Sequence, residues 1–314
     1  MNADLSREAL ELAHCWLDHD LVKGAPELTE FRRRARYHQA QWREANGHPI
    51  GTHRVRPGTS PRLIGSQLDF DYALDTGATF LNQRALDAAR KRAGVVEPHQ
   101  IFDKRGFWAD LLSSGAMAVN LFADLAADLE RADRAVAAWW PDAPGRVVDV
   151  RFAHSPGRLD PSYSNSRRFF DAMFVLALPD GSAGAIAIDV NHREVMDRKG
   201  VKASHMQRFT EIHDRSGAFQ PDTAAELARS RCSVMWLEHL LLLSMLQHAT
   251  ERWTWGRYVV VHPAANTDVA DAVTDYRGRL DDSTTFASAT IEELLRGDAL
   301  SRRTVSALRR RYDL

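Results

Sequence analysis

Three strand-like runs between residues 146 and 191 constrain this chain most: Arg146–Phe152 (RVVDVRF), Phe169–Leu178 (FFDAMFVLAL) and Gly184–Asn191 (GAIAIDVN). The second and third are joined by Pro179-Asp180-Gly181. Pro, then Asp, then Gly suits a type I turn followed by a left-handed residue, which is a three-residue hairpin loop. That loop makes Leu178 face Ser182 and, by extension, places Asp171 directly opposite Asp189. Side chains alternate along a strand, so Asn191 shares the face of the two acids while Ile186, Ile188 and Val190 point to the other. A slip of one residue would separate the acids, so the inference rests on the turn.

The flanking sequence reads as helix. Residues 3–22 and 27–46 are polar and helix-prone, 48–66 is a Gly/Pro/Arg loop, and a helix is expected at 78–93. From Phe107 an apolar stripe too broad for a surface helix predicts one core helix running on towards Trp139 and Trp140. After the three strands come a polar helical region to about 230, a very apolar helix near 232–248, and a fourth strand, Tyr258–His262, ended by Pro263. Residues 267–280 and 290–296 read as helical, and Thr290 with Glu293 has capping-box spacing. Helices around a mixed sheet make the chain α/β or α+β. The provisional division is 1–100, a helical and loop extension, and 101–314, the sheet-bearing domain.

Composition narrows function by exclusion. The net charge of −1 gives no global attraction to nucleic acid, although arginines cluster at 32–36, at Arg54, Arg56 and Arg62, and at 302–311. Such runs read first as solvated helix faces and second as phosphate contacts. Cys15 and Cys232 form no CxxC pair, which fits a reducing compartment rather than a disulfide framework. The first residues, MNADLSREALELAHCW, carry no apolar signal core, and no apolar run is long enough to span a bilayer. A soluble cytoplasmic protein without a membrane partner is expected. HExxH, GxSxG, Walker A and GxGxxG patterns are all missing from the sequence.

Two acids inside apolar strands are costly unless something neutralises them. A divalent cation does so, and magnesium or manganese prefers carboxylate oxygens. The structural alternative is that Asp171 pairs with Arg167 or Arg168 and Asp189 ends its strand. Ser113 and Ser114 either face the site or bond local carbonyls. Asn120 reads as a buried amide joining helix to sheet, and His192 as packed. Glu194 reads as a ligand through water or as an exposed strand end.

The stretch FDAMFVLALPDGSAGAIAIDVNHRE resembles the core of the PD-(D/E)XK nuclease superfamily, in which an Asp begins one strand and a (D/E)-x-K triplet lies on the next. More narrowly it resembles a branch of bacterial restriction-endonuclease-like proteins. Ser113, Ser114, Asn120, Leu121 and Phe122 match that branch's core-helix pattern, and Ser155, Pro156, Gly157 and Arg158 its Ser-Pro-Gly-Arg element. Asp189-Val190-Asn191-His192-Arg193-Glu194 stands where many members carry E-x-K-Y-x-E.

The resemblance implies a restriction-endonuclease-like α/β core, made of a helix, a three-stranded meander, a helix and a strand, behind an added N-terminal helical region. It implies a magnesium- or manganese-dependent endonuclease acting on DNA. Asp171, Asp189 and the Val190 carbonyl would be the metal ligands, and Asn191 would stand in the lysine's place. Ser114 and Glu194 would support the site, and Arg158, Lys199 and Lys202 would contact phosphate. The lysine normally stabilises developing negative charge, whereas asparagine is neutral. The alternative is therefore a catalytically degenerate nuclease fold that binds nucleic acid or serves as an interaction protein in a defence system. Cutting both strands would suit a homodimer, for which no interface is legible.

Overall fold

The computed structural model describes residues 6–15, 30–52, 61–194, 196 and 200–314. The expectations for Arg54, Arg56 and Lys199 fall outside the described residues. The chain begins with α1 (Arg7–Leu12) and α2 (Glu30–Ala45), followed by a two-stranded antiparallel ribbon of β1 (Ile50–Thr52) and β2 (Leu63–Leu68). Helices α3 (Phe70–Thr76), α4 (Gln83–Ala93), α5 (Lys104–Ala109), α6 (Ser114–Ala126) and α7 (Leu129–Trp139) lead into β3 (Arg146–His154), β4 (Phe170–Ala177) and β5 (Ala183–Val190). Then come α8 (Ala203–Ser216), α9 (Ala224–Leu227), α10 (Ser233–Leu246), β6 (Trp253–His262), α11 (Thr267–Arg277), β7 (Phe286–Thr290), α12 (Ile291–Leu294) and α13 (Arg302–Tyr312).

The central sheet runs β3-β4-β5-β6-β7. Its first three strands form the expected antiparallel meander, and β6 and β7 add in parallel. The hairpin register is the one the loop demanded: Ala177 faces Ala183, Ala172 faces Ile188, and Gly181 is left-handed at φ 84°. Two hydrogen bonds of 3.0 Å close the loop, from Leu178 N–H to the Ser182 carbonyl and from Gly181 N–H to the Leu178 carbonyl. The Asp180 carboxylate accepts from the Ser182 amide at 2.9 Å and its hydroxyl at 2.6 Å, which fixes the turn.

Alternation then sorts the core into two layers. Ala172, Phe174, Leu176, Ile186, Ile188 and Val190 pack against α6, with Phe122 and Phe174 edge to face at 5.6 Å. Met173, Val175, Ala185 and Ala187 pack against α8 and α10 on the other side. Helix α10 (SVMWLEHLLLLSML) is apolar all round, as a helix enclosed between a sheet and other helices must be.

The single core helix expected from Phe107 to Trp140 is three helices. Asp103, Ser113 and Asp128 cap α5, α6 and α7 by accepting from the amides of Gly106, Ala116 and Arg131. The apolar stripe concealed these caps because α6 is buried on nearly every side. Strand β6 begins five residues before Tyr258, since parallel pairing to β5 starts at Trp253. Strand β7 (FASAT) has little strand character of its own and is held by pairing to β6.

The arginine runs are not simply solvated faces. Arg32 and Arg36 on α2 are buried, as is Arg311 on α13. The Arg311 guanidinium lies 4.1 Å from the Trp42 ring centroid. Gln39 Nε2 donates to the Arg311 carbonyl at 2.7 Å, so the N-terminal helices pack on the C-terminal one.

The capping box at Thr290 and Glu293 is present, though α12 is only one turn long. Thr290→Ala is expected to destabilise the protein by about 1 kcal/mol. Thermal melting should then fall by about 2 °C.

Candidate active site

The meander brings Asp171 and Asp189 together where β4 begins and β5 ends. Val190 N–H donates to Asp171 Oδ2 at 2.9 Å, and Asn191 N–H to the Val261 carbonyl of β6 at 2.7 Å. Successive residues thus address opposite neighbours. The N–H and C=O of one strand residue leave by the same edge, so the Val190 carbonyl is turned towards Asp171. Asn191 Nδ2 donates to Asp189 Oδ2 at 2.6 Å, which puts the asparagine amide on the acids' face. Neither Arg167 nor Arg168 neutralises Asp171: Arg167 donates to the His99 carbonyl and Arg168 to Glu238.

Ser114 and Glu194 join the site from the chain on either side. Ser114, first residue of α6, donates to Glu194 Oε1 at 2.6 Å and accepts from His192 N–H at 3.3 Å. Glu194 Oε2 is buried without a hydrogen-bond partner among the described residues. Asn266 Nδ2 donates to the carbonyls of His192 and Glu194 at 3.1 and 3.3 Å, holding the segment that leaves β5. Ser113 is the α6 cap, and the first turn of that helix comes close to Asp171. The positive end of a helix dipole there favours negative charge. His192 is buried between the edges of Phe31 and Tyr312, and burial pushes its pKa down to about 3. Asn120 does not reach the sheet: its amide bonds Leu81 N–H, the Thr79 carbonyl and the Tyr312 hydroxyl.

Sequence reasoning missed two residues, Glu238 and Tyr258, and gave Arg168 a different partner. Glu238 of α10 lies beneath the pair, bridged to Asp189 by the Tyr258 hydroxyl, which stands 3.2 Å from Glu238 Oε2 and 3.3 Å from Asp189 Oδ2. Arg168 Nη1 is 3.4 Å from Glu238 Oε1 and brings a cation to this cluster. One signal was available: Glu238 is the lone charged residue in the apolar run 232–246. A buried acid without a local partner marks a site.

The cluster's electrostatics follow from crowding. Burial, then the charge of Asp189, hold Asp171 well above the usual carboxylate range. The same two causes raise Glu238, and burial raises Glu194. Carboxylates this close cannot all ionise without a cation.

Asp171 and Glu194 open onto a cleft of about 420 Å³ walled by α5, α6, the loop at 100–103, the end of β3 and Arg158. Arg193 on its wall donates to Asp110 at 2.7 Å. Arg158 also lines it, with a side chain ion-paired to Glu97 and donating to the Ala153 carbonyl at 3.1 Å. Lys202 is exposed at the start of α8 and is not among the lining residues. Ser114→Ala, which frees Glu194 from its anchor, is expected to lower any activity of this site about tenfold while changing melting little; steady-state rates check it.

The donors suit a hard cation. Among the described residues no group of three or more His, Cys, Asp or Glu could hold a metal ion by side chains alone. Two carboxylates and a carbonyl match magnesium, which is commonly bound through one or two carboxylates and keeps several waters. No described helix is long and apolar enough to cross a membrane. No curated protein and no solved structure matches the chain significantly. A family model described as PD-(D/E)XK nuclease superfamily matches residues 26–313. With that match covering nearly the whole chain, and a helix, meander, helix and strand bearing the paired acids, the protein belongs to the PD-(D/E)XK nuclease superfamily.

Proposed function

We propose that the protein is a metal-dependent endonuclease that hydrolyses phosphodiester bonds in DNA. The observation that supports this reading is the closeness of Asp171 and Asp189, one step beyond the Ala172–Ile188 pair, with Val190 N–H on the Asp171 carboxylate; by strand geometry the Val190 carbonyl leaves by the same edge. Asp171, Asp189 and that carbonyl would hold magnesium or manganese. Such an ion, when bound, supplies an activated water and neutralises phosphate charge.

The remaining residues orient and stabilise. Asn191 and the Tyr258 hydroxyl fix the Asp189 carboxylate from two directions. Ser114 steadies Glu194, whose unpaired Oε2 can accept a hydrogen bond from the attacking water. The first turn of α6 presents its positive end to the phosphate.

One observation favours a second reading, a nucleic-acid-binding protein with little or no catalysis. Asn191, which the resemblance puts in the lysine's place, is a neutral amide bonded to Asp189. Incubating plasmid and single-stranded DNA with wild type and Asp171→Ala, in magnesium or manganese, separates the two. Cutting by wild type that disappears in Asp171→Ala supports the nuclease. Equal cutting by both proteins rejects the assigned site, and silence from wild type with retained DNA binding supports the second reading.

A further inference from the structure

Phe169 stands two residues before Asp171 and is 39% exposed. Among the described residues it is the one Phe, Tyr or Trp that is exposed rather than buried or half-buried. The ring lines the cleft onto which Asp171 opens. Its surroundings are built. The Arg158 guanidinium lies 5.7 Å from the ring centroid, and that arginine is itself buried and tied to Glu97 and the Ala153 carbonyl. Arg167, two residues earlier, donates to the His99 carbonyl at 3.0 Å and ties this stretch to the loop across the cleft. That loop presents Ile101, 77% exposed, on the same cleft.

We infer that Phe169 is a stacking platform for an unpaired base, and that the cleft therefore takes single-stranded DNA, or a strand end opened from its partner, in preference to continuous duplex. The inference rests on the proposed nuclease site and names its substrate class. Two residues of extended chain set the Cα atoms of Phe169 and the metal-holding Asp171 about 7 Å apart. A base on Phe169 thus belongs to a nucleotide adjoining the phosphate at Asp171. Bases within a duplex are stacked on each other and offer no free face. A flat ring backed by a fixed cation accepts any unpaired base, because every base has a π-face. The cleft, at about 420 Å³, has the size of a small-molecule pocket rather than of a duplex groove.

The test is binding of fluorescent dT12, the same strand in a blunt duplex, and dT12 bearing one abasic position, read by anisotropy. The protein carries Asp171→Asn throughout, so that cleavage does not intervene. Single-stranded dT12 is expected to bind at least tenfold tighter than the duplex. Phe169→Ala is expected to weaken dT12 binding about tenfold, and Phe169→Trp to restore it. The loss from Phe169→Ala should shrink on the oligonucleotide whose missing base is the one that stacks, as coupled partners require. Duplex binding as tight as single-strand binding overturns the inference, as does an unchanged Kd in Phe169→Ala. Cleavage by wild type is scored separately. No cleavage with Phe169-dependent binding rejects the nuclease and keeps the platform, whereas cleavage of duplex without regard to Phe169 does the reverse.

Discussion

Asp171→Asn is expected to cut DNA at least a hundredfold more slowly than wild type and yet, without divalent ions, to melt about 2–5 °C higher. Both effects come from one cause. Burial and the nearby Asp189 hold the Asp171 carboxyl well above its ordinary range. The folded protein therefore keeps a proton that the unfolded chain releases, and the stability carried by that proton is full below the unfolded pKa and lost as pH rises through the folded one. Asparagine keeps the shape and can still accept from Val190 N–H, but has no charge to lose. The gap in melting should be widest near pH 8 in EDTA and close towards pH 4. Magnesium should raise wild type and leave the variant unmoved. A variant that melts lower than wild type at pH 8 would falsify the account of the cluster as electrostatically frustrated.

Asn191→Lys is expected to raise cleavage about a hundredfold, the scale on which one well-placed stabiliser of negative charge acts. The asparagine amide already lies 2.6 Å from Asp189 Oδ2, so an ammonium at this position enters a nest of carboxylates. It would lower the raised pKa values of Asp171 and Glu238 and favour their ionised forms. Asn191 is buried, so the longer side chain must displace a neighbour, and melting curves report whether it fits. A folded variant with an unchanged rate would mean that position 191 does not limit the chemistry. Arg168, already against Glu238, would then be the cation to remove next.

The part of this site that lies on neighbouring strands was legible because a turn fixes a register and a register fixes faces. Pro179-Asp180-Gly181 was enough to pair Asp171 with Asp189. Ser114 and Glu194 were each open to two readings, and their contact was not legible, since it joins a helix start to a loop 80 residues away. Glu238 stood out as a lone acid in an apolar run, but its place beneath the pair was not legible, because no local rule says how α10 is rotated against the sheet. Tyr258 looked like an ordinary strand residue, and only parallel pairing sets its hydroxyl between two acids. The breaks in the core helix were hidden for the opposite reason: a helix buried all round has no polar face to show where it stops. Buried arginines misled in the same way, since charge pattern reports where charge lies along the chain and not what covers it.

The long crossover from β5 to β6, residues 191–252, has a consequence in time. Hairpins close in microseconds, whereas pairing across a long connection must first overcome the entropy of closing a large loop. Asp171 and Asp189 lie within the fast local meander, but Tyr258 arrives only when β6 docks beside β5. The paired acids are therefore expected to come together before the Tyr258 hydroxyl and Glu238 reach them. A meander that forms first is expected to leave its carboxylates open to solvent until β6 docks.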